Sequence, residues 1–149
     1  MSKFKIDNSG IGGTPFLTFS VSHSNGFTQE DLDNNLTSCV ITGNNEVGKG
    51  NIGDKLFGKV VWVSSEFDPE TEIPALCAVQ ARGVARFKLD TKNEIYIPKL
   101  NKMIIVDGRG KVYSGDPDVD VSIRPGGHLF RGQVIAVNLE ENTCEVWLG

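Results

Sequence analysis

This 149-residue chain has few histidines, few cysteines and no long apolar run. Its two His, at 23 and 128, are far apart and sit beside turn residues, without a third partner spaced as a triad or a metal site requires. The three Cys, at 39, 77 and 144, are odd in number, widely spaced and free of any Cys-x-x-Cys pair. That pattern argues against a disulfide framework or a zinc site and points to buried free thiols in a reducing compartment. No apolar stretch approaches the ~18 residues of a membrane span. Met1 to Asp7 lacks the apolar core of a secretory leader. The sequon Asn35-Leu36-Thr37 is therefore expected to stay unmodified. An excess of basic charge is missing too. Fifteen Lys and Arg face nineteen Asp and Glu, a net charge of −4, whereas a nucleic-acid binder usually shows a basic footprint. The expected partners thus include no nucleic acid and no membrane, and no metal or other cofactor is expected.

What is present is the grammar of short strands. Seventeen Gly, with many Asn and Asp, signal frequent turns. The central stretch runs from Gly53 to Leu89. It holds a β-rich run over Leu56–Val63, an acidic connection over Ser64–Pro74 and a second run over Ala75–Ala81. That run breaks at Arg82-Gly83 and resumes over Val84–Leu89, where apolar and polar residues alternate with a period of two. Gly83 reads as a bulge or a corner where the strand bends between sheets. Further strands are expected over Pro15–Ser22, Ser38–Thr42 and Glu94–Ile97. Asp107-Gly108-Arg109-Gly110 gives the strongest hairpin signal. Glu140-Glu141-Asn142 marks the turn of a last hairpin, whose final strand ties the C-terminus into a sheet. Val134–Val137 is apolar on both sides, which predicts a central, doubly covered strand. Trp62 and Trp147 lie in strands, where core packing is expected. Thr28–Leu36 is the one helix candidate, with Thr28 as its cap, and its one or two turns suit a short 3₁₀ or α turn as well as a helix. The fold class is mainly β: a small antiparallel barrel or sandwich with at most one or two short helical turns. Residues 15–149 are read as one barrel domain and residues 1–14 as an extended, flexible arm. Phe4, Ile6 and Ile11 of that arm are the candidate partner contacts, because an unstructured segment has little other reason to carry large apolar groups.

Chemistry-bearing patterns fall short. Gly43 to Lys49 has P-loop spacing, but Gly50 stands where the magnesium-binding hydroxyl belongs and no helix follows. Asp116, Asp118 and Asp120 alternate like a calcium loop, yet Val121 and Gly127 replace its Gly and Glu. Glu66, Asp68, Glu70 and Glu72 have no apolar pocket to shift a pKa. The run from Gly43 to Asp54 is read as a wide β-loop and the two acidic runs as solvated loops, and no catalytic residue is assigned.

Four segments together resemble a known family: TGNNEVGKGNIGDKLFGKVVWVS, AVQARGVARFKL, IIVDGRGKVYS and GQVIAVNLEENTCEVWL. In order and spacing they are similar to the small β-barrel capsid cement, or head-decoration, proteins of tailed bacteriophages and prophages. The likeness covers residues 39–149 well and residues 1–38 much less, and the acidic connection looks longer than the family pattern. The resemblance implies a non-enzymatic virion protein made in the bacterial cytoplasm. It would bind the major capsid protein on the outer shell, often as a trimer, and stabilise the shell against internal pressure. The alternative is a different class: an OB-like ligand- or nucleic-acid-binding barrel, with Phe57, Trp62, Phe87 and Tyr96 as stacking aromatics. An enzyme built on a homologous barrel rests on fold analogy alone.

Overall fold

The computed structural model describes residues 16–35, 37–91, 97–114 and 132–149. The first five strands are β1 (Leu17–Val21), β2 (Ser38–Gly43), β3 (Glu46–Gly48), β4 (Gly58–Val63) and β5 (Leu76–Gln80). They close into a barrel in the order β1-β3-β2-β4-β5, with β5 returning to pair with β1. Every pairing in the ring is antiparallel except β1 with β3. Inside it Phe19, Val21, Cys39, Val47, Val60, Val63, Cys77 and Val79 form a buried cluster, joined by Phe27 and Ile73 from the connections.

Helix α1 (Gln29–Asn35) leads from β1 to β2. Seven residues do not sustain a helix alone, so its start is fastened by side chains. The Thr28 hydroxyl accepts from the Asp31 N–H at 3.2 Å, and an Asp31 carboxylate oxygen accepts from the Thr28 N–H at 3.0 Å. Lys49 adds an ion pair to the same carboxylate at 2.9 Å. Burial alone would raise the Asp31 pKa. The bond from the Thr28 N–H and the Lys49 ammonium outweigh it and hold that pKa below the ordinary value. Thr28→Ala is therefore expected to cost about 1 kcal/mol of stability in a urea titration. An unchanged midpoint would show that the cap is not holding the helix.

At Gly83 the chain leaves the barrel. This residue has φ +77, a conformation that suits glycine, and it separates β5 from β6 (Val84–Lys88). The corner expected at this position is what the fold has. Strands β6, β10 (Thr143–Trp147) and β9 (Gln133–Asn138) form an antiparallel sheet in the order β6-β10-β9. β7 (Ile104–Val106) and β8 (Val112–Ser114) form the hairpin expected across Asp107–Gly110. These two sheets enclose a second buried cluster around Phe87, Leu89, Ile104, Val106, Val112, Val134, Cys144 and Val146. Val40 and Leu56 reach into it from the barrel side. The C-terminus is tied in as expected, since the Leu148 N–H donates to Gly83 O at 2.8 Å and the Gly83 N–H to Gly149 O at 3.2 Å. The fold is thus mainly β, with one short helix and a closed barrel among the described residues.

Three sequence expectations change. The run after Gly43 is not a wide loop, because it folds as the tight hairpin β2–β3 with Asn45 at φ +52. Among the described residues β9 stands at the end of its three-stranded sheet rather than in the centre, with β10 in the middle and Val134 bonded on its other side to Asn101 and Lys102. A bulge explains the β9 pattern: Val146 faces Val134 while Glu145 faces Ala136, which leaves Ile135 as an extra residue turned outward. Val134 and Val137 consequently both turn to the core, three residues apart. The third change concerns the tryptophans. Trp62 and Trp147 are 52% and 44% exposed rather than packed in a core.

Candidate functional site

The expected arm contacts Phe4, Ile6 and Ile11 lie outside the described residues, as do Tyr96, His128 and the acidic run at 116–120. Of the four aromatics weighed as a stacking set, Phe87 is fully buried in the second core. Phe57 is partly buried and packs edge-on against Phe19, with ring centres 5.3 Å apart. Among the described members of the set, only Trp62 faces solvent with much of its ring. His23 is exposed, and its Nδ1 lies 3.8 Å from Asp68 Oδ2. Among the described residues no group of three or more His, Cys, Asp or Glu is placed to hold a metal ion. The three Cys are buried, and burial pushes the Cys77 and Cys144 thiols up to about 12, away from nucleophilic character. In the segment with P-loop spacing, Val47 is buried in the barrel and Lys49 is taken up by Asp31.

Two features do stand out. The first is the outer face of β4, β5 and β1. Thr18 pairs with Ala78, and Ala78 pairs with Trp62, so these three cross the face in one row. Leu76, opposite Ser20, lies in the next row. Phe16 continues the outward parity of Thr18 and Ser20. Phe16 is 56% and Leu76 45% exposed, so three large apolar side chains stand on one curved surface. Trp62 is there because of a bulge: Val60 pairs with Val79, Trp62 with Ala78 and Val63 with Cys77, which leaves Val61 as the extra residue. In unbroken register Val61 would lie opposite Ala78 and Trp62 opposite Cys77, which would turn Trp62 into the barrel and Val63 out. The unbroken apolar run Val60–Val63 hides that change of parity from the sequence.

The acidic connection rises from the same end of β4 and β5, and it is well ordered by its own bonds. The Ser64 N–H donates to Leu76 O, and the Ala75 N–H to Glu66 O. Asp68 Oδ1 accepts from the Glu70 N–H at 2.8 Å, and the Glu72 N–H donates to Asp68 O at 2.8 Å. Ile73 plugs into the barrel core, while Glu66, Phe67, Glu70 and Glu72 remain exposed. Between this connection and the β1–β3 edge lies a cleft of about 590 Å³, lined by Ser20, Glu46, Glu66, Phe67, Asp68 and Ile73 among others.

The second feature escaped sequence reading. Asp107 and Asp90, 7% and 8% exposed, meet beside the β7–β8 hairpin. Asp107 Oδ1 accepts the N–H groups of Arg109 at 2.7 Å and Lys111 at 2.9 Å, which closes the turn. Its Oδ2 is buried and, among the described residues, has no N–H or O–H donor. The neighbouring Asp90 carboxyl answers this once a proton sits between the two groups. Burial, followed by the hydrogen bond with Asp90, raises the Asp107 pKa to about 6. Burial and the same Asp90 push Tyr113 up to about 12. The sequence marks Asp107 as a turn residue, but nothing in it tells that Asp90, seventeen positions earlier, comes alongside.

Compared with known proteins, the chain matches no family model and no curated protein.

Proposed function

We propose that the chain is a non-enzymatic virion protein of a tailed phage or prophage, one that binds the outside of the capsid through the major capsid protein and stabilises it. The observation that carries this reading is the ordered set of four glycine-anchored segments that resemble the cement family. Each of them lies on a structural joint: the approach to β4, the β5–Gly83–β6 corner, the β7–β8 hairpin and the β9–β10 hairpin. Many copies on a shell act through multivalent contact, so a modest interface per copy is enough. The exposed apolar groups on the barrel suit such an interface. A homotrimer belongs to the same reading, as does the surface of the virion as its location.

Mass spectrometry of particles purified from an induced culture of the source organism tests this directly. Abundance comparable with the major capsid protein is expected, and absence from otherwise complete particles would refute the reading. Deleting residues 2–14, with Phe4, Ile6 and Ile11, is expected to weaken shell association while leaving the barrel's thermal transition in place. Equal retention of full-length and truncated chains on shells would remove the arm from the interface.

A specific observation favours a second reading, the OB-like binding barrel. A closed ring of five strands with a single parallel pair, and a short helix in a connection, is the OB arrangement entered at a different strand. Trp62 is exposed on its outer face. Salt-sensitive retention on single-stranded DNA would select this reading over the first.

A further inference from the structure

The outer face of β4, β5 and β1 has a chemistry that selects its occupant. Phe16, Trp62 and Leu76 supply the apolar surface, and Phe67, 58% exposed, extends it into the adjoining cleft. Residues 60–81 contain Glu66, Asp68, Glu70 and Glu72 and no Lys or Arg. Glu46 adds a carboxylate from the opposite wall of the cleft. Lys59, opposite Gln80 on β5 and in one cavity with Trp62, is outnumbered by these five carboxylates, and apolar anchors beside net negative charge disfavour a polyanion. They also disfavour a second copy of this chain, whose own acidic connection would be brought against the first. The barrel is closed, so a partner cannot extend this sheet as an added strand and must be held by side chains on the face.

We propose that this face docks a cationic polypeptide segment bearing large apolar side chains. Its apolar groups pack on Trp62, Leu76 and Phe16, while its Lys or Arg side chains lie against Glu66, Asp68, Glu70 and Glu72. Trp62 is the anchor, because a rigid aromatic loses little conformational freedom on contact. The acidic groups act chiefly on the rate of encounter and on partner choice. This deepens the decoration reading, on which the partner's identity as a shell protein rests. The chemistry of the partner is set by the face itself.

The test uses the full chain carrying Trp147→Phe, which leaves Trp62 as its one tryptophan. A short labelled peptide of alternating Lys and Leu is titrated in at about 0.15 M salt, with alternating Glu–Leu and Lys–Ser peptides as controls. The expected result is a saturable blue shift of Trp62 emission with the Lys–Leu peptide, none with Glu–Leu and much weaker binding of Lys–Ser. Labelled-peptide anisotropy should show the affinity reduced about tenfold or more both by Trp62→Ser with Leu76→Ser and by Glu66→Gln, Asp68→Asn, Glu70→Gln and Glu72→Gln together. Trp62, Leu76, Glu66, Glu70 and Glu72 are exposed, Asp68 is half-buried and keeps its oxygen acceptor as Asn, and thermal melts are run to check that each variant folds. No Trp62 shift, unchanged affinity in both variants, or equal binding of the Glu–Leu peptide overturns the proposal. So does concentration-dependent self-association that Trp62→Ser abolishes, because the face then belongs to a second copy. Purified shells separate the two claims. Retention of the wild type and the neutralised variant alike keeps decoration and sinks this face, whereas peptide binding without shell retention does the reverse.

Discussion

Replacing Phe87 with Ala is expected to lower the unfolding free energy by about 3–5 kcal/mol, the largest effect of any single change considered. Phe87 is fully buried on β6, and its partner across the sheet, Cys144 on β10, turns the same way into the second core. Residues from β6, β7, β8, β9 and β10 converge in that cluster, so truncation leaves a cavity whose walls belong to several strands and collapse poorly. Val40 and Leu56 carry the same cluster into the barrel side, and the loss is therefore expected in one shared transition. The two tryptophans report the two regions separately: Trp62 sits on the barrel and Trp147 on the β6-β10-β9 sheet. In single-tryptophan backgrounds both signals should move to lower denaturant together when Phe87 is truncated. A shift confined to Trp147 would mean that the barrel unfolds on its own. A loss below about 1 kcal/mol would mean that the cluster refills the space.

Asp107→Asn is expected to stabilise the protein, by about 1–3 kcal/mol at about pH 8, and to flatten its pH dependence. The sign follows from the raised pKa. In the unfolded chain Asp107 titrates near its ordinary 3.8, and in the native state near 6. Between those values the folded protein binds more protons than the unfolded one, so stability falls as pH rises from about 4 to about 6 and levels off above. The causes are burial first, then the neighbouring Asp90. At 1.36 kcal/mol for each pH unit, the interval from 3.8 to about 6 corresponds to an upper value of about 3 kcal/mol, which residual solvent screening reduces. Asn keeps the oxygen that accepts from Arg109 and Lys111, and its amide can donate to Asp90 where a second carboxylate repels. Asp107→Ala removes both the charge and the turn acceptor. It should fall about 1–3 kcal/mol below the Asn variant. The measurement is the difference in urea midpoint between wild type and Asn variant from about pH 4 to about pH 8, which cancels groups such as Asp31 that pull the other way. A difference that does not grow with pH would show that the pair shares no proton.

Much of this molecule was legible in advance because its turns are chemically explicit. Gly83 at φ +77, Gly108 at φ +82 and Asn142 at φ +54 are residue types that tolerate a left-handed backbone, and each marks a corner or hairpin where one was expected. Thr28 three residues before Asp31 announced the helix start. Local geometry of this kind is written in the identity of a few adjacent residues. By itself, then, the sequence determined a mainly β chain, the Gly83 corner and the β7–β8 and β9–β10 hairpins, and the burial of its cysteines, but not the β2–β3 hairpin. Strand parity was another matter. In Val60–Val63 and Val134–Val137 every residue is apolar, so no alternation records which side faces inward. The bulges at Val61 and Ile135 arise only when a partner strand imposes its register. One bulge turned Trp62 outward and made the candidate docking face, and the other returned Val137 to the core. The meeting of Asp90 with Asp107 is likewise a product of tertiary structure. The Leu89–Val112 bridge and the Asp90 N–H bond to Val112 O carry the end of β6 alongside β8. Turns are decided within a few residues, whereas facing and proximity depend on strands that meet only in the folded chain.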